Sequence, residues 1–130
     1  MIVLDCSALV HCLTGRTLQG ERIAERIARE RVLAVPHLLD AELASALLGM
    51  ARRGKLNRGQ VDQAMADYRL MPLRRHELNP LWERVSELSA GLSVYDAHYV
   101  ALAEGLGAPL VTSDARIAKS GSTRCQVETF

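Results

Sequence analysis

The sequence predicts an α/β fold, a parallel sheet with helices on both faces, in a single domain spanning 1–130. Two observations carry that expectation. Short apolar runs, among them Ile2-Val3-Leu4, Val32-Leu33-Ala34-Val35 and Pro109-Leu110-Val111-Thr112, have the length and composition of buried strands, and each is followed by a stretch with helical spacing. Size agrees with pattern: 130 residues, 48% of them hydrophobic and 24% charged, can bury most of the surface that one unfolded domain exposes.

Residues 2–5 form the first strand, which stops on Asp5, and Ser7-Ala8-Leu9-Val10 starts a short helix closed by Gly15. From Gln19 to Arg31, Ile23 and Ile27 share a side with Ala24 and Ala28, while Arg22, Arg26 and Arg29 lie elsewhere, as in an amphipathic helix. The second strand, Val32 to Val35, ends at Pro36. Leu38 to Arg53 is the strongest helix, with one stripe of Leu39, Leu43, Ala46, Leu47 and Met50 and a stop at Gly54. Asn57 caps a helix reaching Arg69, and Met71-Pro72-Leu73 is a third short strand that Pro72 confines to an edge or a strand start. Asn79-Pro80 opens a helix whose apolar face, Leu81, Val85 and Leu88, runs up to Gly91. Ser93 to Leu106 is apolar on nearly every side, which makes it central, and Gly107 ends it. Pro109 to Thr112 is the fourth strand, Ala115 to Lys119 a short helix, and Cys125 to Glu128 a fifth strand.

The formal net charge of +1 gives no global bias toward nucleic acid, so any polyanion site must be local. Cys6, Cys12 and Cys125 are an odd number without a C-x-x-C pair, which argues against a disulfide framework or zinc knuckle and for reduced, packing thiols. No basic segment precedes the first apolar run, and no apolar stretch reaches the roughly 18 residues of a membrane span. The expected location is the cytoplasm.

Ligand sites of open parallel sheets lie beyond the carboxyl ends of the strands. Asp5 follows the first strand, Asp114 follows the fourth through Thr112-Ser113, Asp96 opens the central helix, and Glu42 lies early in the helix after the second strand. All four can meet at one sheet edge. Each has a plain structural reading as well: Asp5 and Asp114 suit helix N-caps, and Ser93-x-x-Asp96 fits a capping box. Glu42 sits on one border of the apolar stripe and Asp40 on the other, and periodicity does not choose between them.

Other constellations are weaker. Ser93, Asp96 and His98 lack a G-x-S-x-G elbow, no Walker A sequence is present, Gly105-Leu106-Gly107 lacks a third glycine, and His11, His37 and His76 have no zinc spacing. Arg52, Arg53, Lys55, Arg58, Arg74 and Arg75 read as solvated charge, whereas Arg116 and Lys119 stand beside Asp114, where a polyanion approaching carboxylates needs them.

The ordered set is recognisable. Ile2-Val3-Leu4-Asp5-Cys6-Ser7-Ala8-Leu9 resembles the opening motif of the PIN-domain family, and Leu92-Ser93-Val94-Tyr95-Asp96-Ala97-His98-Tyr99-Val100-Ala101-Leu102-Ala103 with Pro109-Leu110-Val111-Thr112-Ser113-Asp114 resembles its closing half. With Pro36-His37-Leu38-Leu39-Asp40-Ala41-Glu42-Leu43 between them, the whole chain looks like a VapC-type toxin ribonuclease.

That resemblance implies a three-layer α/β/α domain around a parallel five-stranded sheet, and it selects Glu42 over Asp40. It implies that Asp5, Glu42, Asp96 and Asp114 are catalytic, metal-binding acids, with Ser7 and Thr112 as supporting hydroxyls. Cys6 departs from the small residue expected there and should point away if Asp5 points in. The resemblance further implies RNA as substrate, a VapB-like antitoxin that blocks the acidic cleft, and a homodimer, for which Leu38, Leu47, Leu48 and Met50 offer apolar surface beyond one stripe.

Elementary chemistry agrees: gathered carboxylates repel unless a cation neutralises them, and hard oxygen donors without thiolate or imidazole select Mg2+ or Mn2+. Two other classes compete. A PIN-like binding module would keep the fold with its acids serving only as caps. A receiver-like phosphotransfer domain needs an aspartate after a middle strand and a lysine after the last, and neither is evident.

Overall fold

A computed structural model of the chain describes every residue except Arg16. Strand β1 (Ile2–Leu4) leads into α1 (Cys6–Thr14) and α2 (Leu18–Ala28); β2 (Leu33–Pro36) is followed by α3 (Leu38–Arg52) and α4 (Arg58–Leu70). Strand β3 (Leu73–His76), a 3-10 turn (Asn79–Leu81), α5 (Trp82–Leu88) and α6 (Val94–Leu106) come next, then β4 (Leu110–Thr112), α7 (Ala115–Lys119) and β5 (Val127–Thr129). No helix among the described residues is long and apolar enough to cross a membrane.

All neighbouring strands pair in parallel, in the order β3-β2-β1-β4-β5. Parallel crossovers are right-handed, so the steps from β1 to β2 to β3 put their helices on one face, and the reverse steps from β3 to β4 to β5 put theirs on the other. The packing follows: α1 lies against α2, α3 and α4, α5 lies against α6, and α6 covers β1, β2 and β4. The result is the three-layer α/β/α architecture. The strand order reverses between β1 and β4, which makes their carboxyl ends the switch point where such sheets open a crevice.

Strands β1 and β4 are apolar because both faces are covered: Ile2, Val3, Leu4, Leu110 and Val111 are completely buried. Helix α6 is central as its composition predicts, with Ala97 through Ala103 all buried. It ends where Gly107 turns left-handed at φ 61°, a conformation that a side chain disfavours.

The strand boundaries move by one to three residues. Pro36 pairs with His76 as the last residue of β2 rather than following the strand. Strand β3 starts after Pro72, which has no N–H to give the ladder, and runs to His76 as the edge strand. The last strand begins at Val127, not Cys125. The apolar surplus behind the homodimer expectation is largely used within the chain: Leu47 is fully buried, and Leu38, Leu48 and Met50 pack against the core.

Candidate active site

Asp5 occupies the junction of β1 and α1. Its backbone N–H still donates to Val111 of β4 at 3.2 Å, and its side chain then caps α1, Oδ1 accepting from the Ala8 N–H at 2.9 Å. The same oxygen accepts from the Ser7 hydroxyl at 2.8 Å, and Oδ2 accepts from the Thr112 hydroxyl. Those hydroxyls also receive backbone donors of the β4–α7 turn, Ser113 N–H to Ser7 at 2.9 Å and Asp114 N–H to Thr112 at 2.9 Å. One hydrogen-bonded clamp therefore ties the ends of β1 and β4 together and holds a carboxylate that is only 4% exposed. Burial pushes the Asp5 carboxyl above its ordinary value, against the pull of Thr112, Ala8 and Ser7, and the Asp96 charge adds to the rise.

The other acids reach the same crevice from three helices. Glu42, in the second turn of α3, is half-buried, with Oε1 shielded from solvent and without a hydrogen-bond partner among the described residues. Burial is the main cause of its raised carboxyl pKa; the Tyr99 hydroxyl opposes the rise, and Asp96 and Asp5 add to it. Asp96 stands in the first turn of α6, where Ser93 caps its N–H at 3.1 Å. Its carboxylate makes no return hydrogen bond among the described residues, so only half of the expected capping box forms. Asp114 caps α7 through the Arg116 N–H at 2.9 Å. Arg116 also grips both its oxygens from Nε and Nη2 at 2.7–3.1 Å, which holds the Asp114 carboxyl below its ordinary range.

Asp5, Glu42, Asp96 and Asp114 line one pocket of about 360 Å³, together with Ser7, Cys6, His11 and Tyr99. Among the described residues no three His, Cys, Asp or Glu side chains are gathered closely enough to hold a metal ion as they stand. Both Asp5 oxygens are engaged by donors and Asp114 is engaged by Arg116. Asp40 is elsewhere: it accepts from the Tyr68 hydroxyl at 2.6 Å and pairs with Arg75 at 2.9 Å. The undecided pair on α3 thus separates onto two surfaces. Of the two flanking cations, Arg116 is spent on Asp114, and Lys119 is exposed.

Cys6 does not point away. It lines the pocket, because Asp5 already caps a helix and the alternation of a strand no longer governs the next residue. Burial, with the Glu42 and Asp5 charges, pushes its thiol up to about 12, which leaves it protonated and unreactive. Tyr99 was not singled out by the sequence reading, although its place three residues after Asp96 puts it on the same side of α6. It is 1% exposed, and its hydroxyl has no hydrogen-bond partner among the described residues. Burial first, then the Glu42 charge, raises the Tyr99 phenol.

The family model for the PIN domain matches residues 2–121. The chain belongs to the PIN domain family. This PIN domain is 41% identical to a VapC ribonuclease of Mycobacterium bovis over 127 residues, 98% of this chain and 96% of that one. It is also similar to the structure of PAE2754 from Pyrobaculum aerophilum, with a TM-score of 0.68 and 25% identity over 97% of this chain and 81% of that one. The structure of VapBC2 from Rickettsia felis, bound to a DNA fragment from its promoter, shares the fold at a TM-score of 0.68 and 18% identity, covering 100% of this chain and 99% of that one.

Proposed function

We propose that this PIN domain is a VapC-like toxin, a divalent-metal-dependent endoribonuclease that hydrolyses RNA phosphodiester bonds. The observation that carries the reading is the convergence of four carboxylates on one pocket at the switch point of the sheet, one of them with a buried, unpartnered oxygen. The four carboxylates, two of them with raised pKa values, supply hard oxygen donors that fit a cation such as Mg2+ or Mn2+. The identity with a named VapC ribonuclease supports RNA as the substrate.

In this reading Asp5 and Asp96 hold the principal cation. Ser7, Thr112 and the Ala8 N–H fix the direction in which Asp5 presents its charge. Glu42 contributes a ligand or orients the attacking water, and Asp114 supports a second cation or an outer water once Arg116 releases it. On releasing Asp114, Arg116, whose side chain is 87% exposed, would turn toward a phosphate, and Lys119 follows it on the same short helix. A bound divalent cation supplies Lewis acidity at the phosphate and acidifies water toward neutral pH.

The cap-only alternative has an observation in its favour, since Asp5 and Asp114 do cap α1 and α7. Capping explains neither the unpaired Glu42 oxygen nor the Asp96 carboxylate. A VapB-like antitoxin covering the acid-lined pocket is part of the proposal, supported by the VapBC neighbour; a homodimer is part of it as well. Asp5→Asn protein should keep the wild-type circular-dichroism spectrum and lose RNA cleavage by at least about a hundredfold. Undiminished cleavage by that variant would refute the assignment.

A further inference from the structure

Tyr99 and Glu42 leave a matched pair of desolvated groups without partners among the described residues. The Tyr99 hydroxyl is an O–H donor on a side chain that is 1% exposed, and Glu42 Oε1 is an acceptor shielded from water. Both line the acidic pocket, and neither has a hydrogen-bond partner among the described residues. A buried polar group without a partner is costly, and native structures hold few of them. Two adjacent ones of opposite kind indicate a pocket whose polar groups are matched in another state.

Packing does not require the hydroxyl. Ala97, Val100, Ala101 and Ala103 bury the surrounding α6 surface, and phenylalanine would supply the same ring. What the hydroxyl adds is a donor in the same pocket as Glu42, which, like Asp96 and unlike Asp5 and Asp114, has no donor among the described residues. Asp5 has Ser7, Thr112 and the Ala8 N–H, and Asp114 has Arg116. Oriented ligands of metal sites are normally held by such partners, and removing one typically costs about 10–100-fold in metal affinity or activity.

We infer that Tyr99 is a positioning residue for Glu42: when a divalent cation enters the pocket, the Tyr99 hydroxyl donates to Oε1 and holds the carboxylate in place toward the cation. One carboxylate lone pair is then committed to Tyr99 and the rest remain for the cation or its water. This inference rests on the metal-site reading above.

Tyr99→Phe tests it in the full chain through Mn2+ binding by calorimetry and thermal unfolding with and without Mn2+. Without metal the variant should melt at or above the wild-type temperature, because it loses an unpartnered hydroxyl. With metal it should bind Mn2+ about tenfold or more weakly and gain less in Tm than the wild type. In a Glu42→Gln background the same change should add little, since the carboxylate through which it acts is gone. Wild-type Mn2+ affinity and an equal metal-induced rise in Tm would overturn the inference. Failure of Tyr99→Phe to fold would overturn it too, by showing that the hydroxyl supports the metal-free core. If the wild type itself binds no Mn2+, the metal-site reading falls, and this inference with it.

Discussion

Glu42 and Asp40 stand two residues apart on α3 and behave oppositely. The Arg75 guanidinium, assisted by the Tyr68 hydroxyl, keeps the Asp40 carboxyl below its ordinary range despite partial burial, so its contribution to stability is present above the ordinary aspartate value and is lost as pH falls. Glu42 is raised, chiefly by burial. An acid whose folded pKa exceeds its unfolded value keeps its proton longer in the folded chain. The metal-free fold therefore loses stability as pH rises from the ordinary glutamate value of about 4.3 toward the raised one, and the loss is complete above it. Glu42→Gln removes that titration. The metal-free variant should match the wild type at or below about pH 4 and melt at a higher temperature at about pH 7.5, as followed by circular dichroism. A lower melting temperature at the higher pH would show that the carboxylate is stabilised where it lies.

Among the elements, some helix starts carry a residue that only caps and others an acid that caps and also lines the pocket. Asn57 caps α4 in a complete capping box, Gln60 N–H to Asn57 at 2.8 Å and Asn57 N–H to Gln60 at 2.9 Å, on an exposed surface that contributes nothing to the acid-lined pocket. Asn57→Ala should cost about 1 kcal/mol in urea unfolding and leave RNA cleavage unchanged. Asp5 and Asp114 cap α1 and α7 in the same chemical manner while lining the pocket. Capping and lining the pocket share one geometry, which is why motif and spacing alone left cap and site equally good accounts of them. The strand starts follow a simpler rule: Pro72 has no N–H to pair, and β3 begins just beyond it.

For the molecule as a whole, the pocket lies where the strand order reverses, and its walls come from segments as far apart in sequence as α1 and α7. A cation held there would bind the folded chain and not the unfolded one. At Mn2+ concentrations about a hundredfold above Kd it should stabilise the fold by about 2.7 kcal/mol, visible as a rise in Tm. Asp96 makes no side-chain hydrogen bond among the described residues, so Asp96→Asn should leave the metal-free melting temperature near that of the wild type and reduce the Mn2+-induced rise. An equal rise in both proteins would remove Asp96 from the ligand set.

The sequence by itself determined the alternation of strands and helices, the burial of β1, β4 and α6, and the positions of Asp5 and Asp114 beyond strand ends and of all three aspartates, Asp5, Asp96 and Asp114, at helix starts, because these depend on local periodicity, capping and chain-breaking residues. Resemblance, not periodicity, selected Glu42. Only the tertiary structure separated Glu42 from Asp40, turned Cys6 into the pocket, set Arg116 on Asp114 and brought Tyr99 beside Glu42. Each of those depends on what a side chain meets from a distant segment, and a helical wheel or a spacing carries no information about that neighbour.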